Sequence, residues 1–152
     1  MKPWERYSFT ALSAILTITG VAYFWMKWMM PTDDPFAVVN HPLQPLMLHL
    51  HVLTAPAFLI VFGIIFNSHI GRKIGKNVPN RRSGLLSLVT MAIMTASGYL
   101  LQTLTDPAFH QVALVAHLAS GGLFAVAYTV HLAIAVRMWQ QCRRAQQQTA
   151  AA

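Results

Sequence analysis

Charge is scarce in this chain. Only 10% of its 152 residues are charged, and four of these are acidic. An ordinary soluble domain carries about a quarter charged residues, so this complement is too small to clothe a soluble fold. Cysteine is nearly absent. Cys142 stands alone beside Arg143 and Arg144, which excludes a disulfide framework within one chain and leaves a free thiol on the cytosolic side. No Rossmann glycine pattern, P-loop or CxxC occurs, so the usual phosphate cradles and dithiol sites are missing. The formal net charge is +7. It lies on no soluble basic patch and accompanies no nucleic-acid motif, so nucleic acid is excluded as a partner.

Apolar residues make up 55% of the chain and fall into blocks. A helix needs about 20 apolar residues to cross a bilayer core of about 30 Å. Four blocks satisfy this: about 7–30, 43–70, 83–104 and 108–138. Connections are short and no repeat array is visible. The expected fold is an all-α, integral-membrane four-helix bundle with up-down-up-down topology, a single domain over residues 1–152. The first block has a basic start at Lys2 and Arg6. It is longer than a signal-peptide h-region and ends in Met-Lys-Trp-Met-Met-Pro rather than a cleavage site, so it reads as a retained helix. The tail from Gln146 to Ala152 is expected to fray.

Lysine and arginine mark the cytoplasmic side of short loops. Lys2 and Arg6 precede the first block. Arg72, Lys73, Lys76, Arg81 and Arg82 fill the second connection, and Arg137, Arg143 and Arg144 end the fourth block; together these are ten of the eleven basic residues. Asp33 and Asp34 lie in the first connection and Asp106 in the third. Both termini are therefore expected in the cytoplasm, with membrane lipid as the surrounding partner. Trp4, Tyr7, Trp25, Trp28 and Trp139 lie at block ends, where aromatic rings anchor helices to the interfaces.

The seven histidines avoid the first and third blocks. His49, His51 and His69 lie on the second and His117 and His131 on the fourth, while His41 and His110 lie just before those two. Ionisable side chains within a span are costly and mark function. His117 and His131 are fourteen residues apart, which places them within about 40° of one face and about 21 Å apart along the axis. His51 and His69 are eighteen apart, five full α-helical turns or about 27 Å. A tilt of the second helix and a kink at Pro56 are expected to absorb the difference of about 6 Å. His49 is turned about 160° from His51 and reads as a structural histidine. His41 and His110 read as solvated loop residues. Two parallel helices with a high and a low histidine form two facing pairs, His51 with His117 and His69 with His131. Such imidazole pairs suit the axial positions of haem iron. Zinc is disfavoured, because it needs three or four close ligands. Small residues along the same helices, Ala55, Gly63, Ser97, Gly98, Ser120, Gly121 and Gly122, leave room for a flat ring or for close helix contact.

With His117-Leu-Ala-Ser-Gly-Gly122 followed by His131, Ser97-Gly-Tyr-Leu-Leu101, and His51 with His69, the chain resembles the four-helix b-type membrane cytochromes of bacteria. That group includes small dihaem cytochromes b and the cytochrome b subunits of nickel–iron hydrogenases and formate dehydrogenases. The resemblance covers about residues 7–140. In the two subunit families the first helix also gives a ligand, and here it has no histidine. The two-plus-two arrangement is closer to the cytochrome b core of quinol:cytochrome c reductase, whose helix-two spacing is near fourteen rather than eighteen. The resemblance implies two haems b ligated by His51, His117, His69 and His131 in a bacterial inner membrane. It further implies electron transfer between the quinone pool and a periplasmic cytochrome or oxidoreductase subunit. Haem c is excluded by the absence of CxxCH. Two rivals stand beside this reading. One is a single-haem or haem-free anchor subunit. The other is a small non-redox transporter or assembly factor, which lacks the Asp or Glu that proton relays place inside a span.

Overall fold

The computed structural model describes residues 2–31, 38–71 and 80–151. These residues form α1 (Pro3–Trp28), α2 (Gln44–Ile65), a π-helical turn (Phe66–Ile70) that prolongs α2, α3 (Arg81–Thr103) and α4 (Pro107–Ala151). No strand occurs among the described residues. Asp33, Asp34, Arg72, Lys73 and Lys76, which carry part of the orientation argument, lie outside them.

Local chemistry sets the helix starts. Pro3, Pro45 and Pro107 stand in the first turns of α1, α2 and α4, where a missing N–H costs nothing and φ is already helical. The Lys2 backbone N–H donates to Glu5 Oε2 at 2.8 Å. Asp106 Oδ1 accepts from the Ala108 and Phe109 N–H groups at 2.9 and 3.1 Å, a side-chain cap for α4. Asn80 precedes α3 in the left-handed region, at φ 66°, which asparagine tolerates better than most residues.

The helices depart from the apolar blocks in three places. α1 begins four residues before Tyr7 and takes Glu5 into its first turn, where the carboxylate is only 3% exposed. α4 does not fray at Gln146 but runs to Ala151, because Gln, Ala and Arg all favour the helix. α2 continues through Pro56 and changes instead at Phe66–Ile70, where the backbone widens to a π turn.

All four helices are long and apolar enough to cross a membrane, and no more than 22% of any apolar window is buried. Apolar helices left so exposed require lipid around them. The chain is a multi-pass membrane protein with four candidate spans among the described residues.

The chain divides into two compact units, Met1–Gly75 and Lys76–Ala152. The first is a hairpin of α1 and α2. Thr19 meets His51 and Glu5 meets Ser68, so the two helices run antiparallel. Phe9 stacks on Phe58, with ring centroids 4.9 Å apart, and Phe58 and Ile65 are buried. Asn40 closes the end of the hairpin where α1 gives way to α2, donating to the Lys27 carbonyl at 3.0 Å. The second unit pairs α3 with α4. Met94 meets His117 and Ser83 meets His131, again antiparallel, over a core of Met91, Ala113, Phe124 and Ala127. Small hydroxyl residues line both hairpins. Thr19, Thr90, Ser97 and Ser120 are buried and donate to carbonyls one turn back. They let the backbones approach without leaving a polar group unmet.

Candidate functional site

Three histidines face the partner helix of their own hairpin. In the first unit, His51 Nδ1 lies 3.0 Å from the Leu16 carbonyl oxygen and 3.2 Å from Thr19 Oγ1. A carbonyl can only accept, so Nδ1 carries the proton. The Thr19 hydroxyl donates to the Ile15 carbonyl at 2.7 Å, and its lone pair faces the same N–H. In the second unit, His117 Nδ1 lies 2.9 Å from the Met94 carbonyl oxygen, with the same consequence. His131 Nδ1 lies 3.1 Å from Ser83 Oγ. The single Ser83 proton lies between two acceptors, the Asn80 carbonyl at 3.1 Å and Asn80 Oδ1, which leaves the hydroxyl oxygen to accept from the ring. Asn80 Nδ2 donates to the His131 carbonyl at 2.9 Å and ties the start of α3 to the same point on α4. All three rings take the tautomer with N–H at Nδ1 and the lone pair at Nε2. Metal-bound histidines are held in this way, with one ring N–H given to a carbonyl or other acceptor that fixes the ring.

A glycine faces each of these rings. A Cβ added at Gly20 would lie 2.9 Å from His51 Cε1, one at Gly98 would lie 3.0 Å from His117 Cε1, and one at Gly84 would lie 3.1 Å from His131 Cε1. Each glycine follows a hydroxyl residue, giving Thr19-Gly20, Ser83-Gly84 and Ser97-Gly98. Gly84 and Gly98 are fourteen residues apart, matching His131 and His117. Of these three dipeptides, sequence reasoning singled out only Ser97-Gly98. The repeated hydroxyl–glycine step on α1 and α3 was the signal that could have found the other two. Gly63 and Gly122, by contrast, face open space and make no helix contact there. Gly121 lies against Met94.

The remaining histidines divide as follows. His69 lies in the π turn. A π turn advances through wider turns than an α-helix, so the eighteen residues from His51 to His69 are not five α-helical turns, and the two do not share a face by that count. His49 is exposed. His41 Nδ1 accepts the Leu43 backbone N–H at 3.1 Å, before α2 begins. His110 is not a loop residue but lies in the first turn of α4, where its backbone N–H donates to the Asp106 carbonyl at 2.9 Å. Among the described residues, no group of three or more His, Cys, Asp or Glu side chains comes together. Compared with protein-family models, with curated proteins and with solved structures, the chain matches none.

These residues fit a haem as axial ligands. The rings are pre-set in one tautomer with the ligating nitrogen defined. Their partner helices lack a Cβ where the ring edge sits. His51, His117 and His131 meet every part of this test; for His69 the fit rests on its place in the chain.

Proposed function

We propose that this chain is a b-type cytochrome of a bacterial inner membrane. It carries electrons between the quinone pool and a periplasmic redox partner, and both its termini are cytoplasmic. His51 and His117 are the ligands of an outer haem b, and His69 and His131 those of an inner one. The observation that carries this reading is the shared posture of three histidines, each donating Nδ1–H to its partner helix opposite a glycine.

When bound, haem b supplies a one-electron iron couple whose potential is set by axial ligands, hydrogen bonding and burial. The chain's own part is to position and to exclude water. The Leu16 and Met94 carbonyls hold His51 and His117, and the Ser83 hydroxyl holds His131. Gly20, Gly98 and Gly84 leave space for the ring edges. Phe58 and Phe124, each seven residues beyond an outer histidine, are at most 5% exposed. They keep each hairpin dry between its outer and inner levels.

The test is optical. Dithionite-reduced minus oxidised spectra of the purified protein should show a b-type α-band, because bis-histidine iron is low-spin. A pyridine haemochrome assay should give about two haems per chain. One haem per chain would favour a membrane anchor subunit of a larger oxidoreductase. No haem after haem-replete expression would end the redox reading.

A further inference from the structure

The two hairpins share one register. Adding 78 to a position on α1 gives its counterpart on α3: Leu16 becomes Met94, Thr19 becomes Ser97 and Gly20 becomes Gly98. Adding 66 to a position on α2 gives its counterpart on α4: His51 becomes His117, Thr54 becomes Ser120 and Phe58 becomes Phe124. His51 and His117 each have a seat on their partner helix, a carbonyl from Leu16 or Met94 and a glycine opposite the ring. His131 has a seat at Ser83-Gly84.

The likeness stops where α1 and α3 begin. In the first hairpin that end holds a buried carboxylate, Glu5, which accepts from the Lys2 N–H and the Ser68 hydroxyl at 2.8 and 3.2 Å. In the second it holds arginines. Arg81 and Arg82 open α3, and Arg137, Arg143 and Arg144 follow on α4; all five are exposed. The one acidic side chain in residues 76–152 is Asp106. It caps the opposite end of α4, about 46 Å from Arg137 along the helix. This unit therefore has no carboxylate of its own to set against these arginines.

The register of the hairpin fixes their depth. Asn80 and Ser83 bond to α4 at His131, and the two helices run antiparallel. Arg81 and Arg82 thus stand about level with the turn of α4 that follows His131, and Arg137 lies about 6 Å beyond them. The headgroup layer on one side of a bilayer is about 5–8 Å deep, so these three arginines fit within one layer. Trp139 follows Arg137 by about 3 Å and is exposed; tryptophan favours that depth. Arg143 and Arg144 come about 10 Å beyond Arg137, outside the layer, and Arg143 lies 4.8 Å above the Trp139 ring.

We infer that Arg81, Arg82 and Arg137 form a binding site for an anionic phospholipid of the phosphatidylglycerol type. Arginine offers a phosphate two parallel N–H donors, and a lipid with net negative charge supplies the counter-charge that this unit lacks. A zwitterionic lipid brings its own cation and gains less. The inference rests on the membrane class of the chain and is independent of the haem reading.

The experiment titrates the full-length protein, in a neutral detergent, into fluorescent-tailed phosphatidylglycerol or phosphatidylcholine and reads anisotropy. Phosphatidylglycerol should bind at least about fivefold more tightly, the effect of about one surface arginine, and added salt should narrow the gap. Replacing Arg81, Arg82 and Arg137 together by Gln should abolish the preference, and replacing all three by Lys should keep it. Arg143→Gln with Arg144→Gln should keep most of it. Circular dichroism checks that each variant retains its helices. Equal binding of the two lipids by the unaltered protein would overturn the inference. So would a preference that survives the triple Gln change or is lost in a helical triple Lys protein. Displacement of the lipid by an equal concentration of inorganic phosphate would overturn it too, because the arginines would then be taking phosphate from solution.

Discussion

At the scale of single residues, the decisive features are one ring nitrogen and one missing methyl. His51 and His117 are held by main-chain carbonyls, which no substitution of a neighbour removes. Their replacement by Ala is therefore the clean test of ligation. Either change should remove the same spectral component, the outer haem, while His49→Ala, at an exposed position of α2, should leave haem content unchanged. Loss of the outer haem in His49→Ala beside its retention in His51→Ala would reverse the assignment. His131 differs because its acceptor is a side chain, Ser83. Removing such a supporting partner costs about 10–100-fold in metal affinity. Ser83→Ala should accordingly lose inner haem to a competing apo-haemoprotein faster by that order, with the outer haem retained. Gly98→Val sets a branched side chain where even a Cβ would stand 3.0 Å from His117 Cε1. It should lower outer-haem occupancy as His117→Ala does, and a pyridine haemochrome count would show it.

At the scale of elements, α2 and α4 look alike in composition and differ in one turn. On α4, His131 follows His117 by fourteen α-helical positions, and on α2 Ile65 follows His51 by fourteen before the π turn. The mismatch of spacing read from the sequence is therefore not absorbed by a kink at Pro56. His69 lies four residues beyond Ile65, the α2 position that corresponds by count to His131 on α4. The far end of α4 carries no histidine. Residues from Arg137 to Gln148 are exposed, and Arg143 sits 4.8 Å above the Trp139 ring. A chain ending at Gln141 should insert and take up haem as the full protein does; a fall in haem per chain would show that this extension supports the bundle.

At the scale of the molecule, the four spans leave most of their apolar surface uncovered, which fits lipid and no other solvent. Basic residues concentrate before α1, around the start of α3 and at the end of α4. A cytoplasm-dependent reporter fused after Ala152 or inserted near Lys76 should be active, and activity of a periplasm-dependent reporter at either place would invert the topology.

Apolar block length and the distribution of lysine and arginine made the membrane class, the number of spans and the expected orientation legible from the sequence alone. These depend on hydrophobicity summed over about 20 residues, which is a local property. The turn of His49 away from His51 was also legible, because helical phase follows from residue number: His49 is exposed, while His51 lies against α1. The seats were not. Gly20 and Gly84 matter only because a ring from another helix comes to rest against them, and Leu16 and Met94 act through carbonyls that every residue possesses. The repeat between hairpins is hidden in the linear chain because the two helix pairs are offset by different intervals, 78 and 66 residues. The sequence determined which histidines lie within the apolar helices. The tertiary structure decided which imidazoles are held against a second helix, because holding a ring takes a polar partner and a gap on that helix, and packing alone brings those to it.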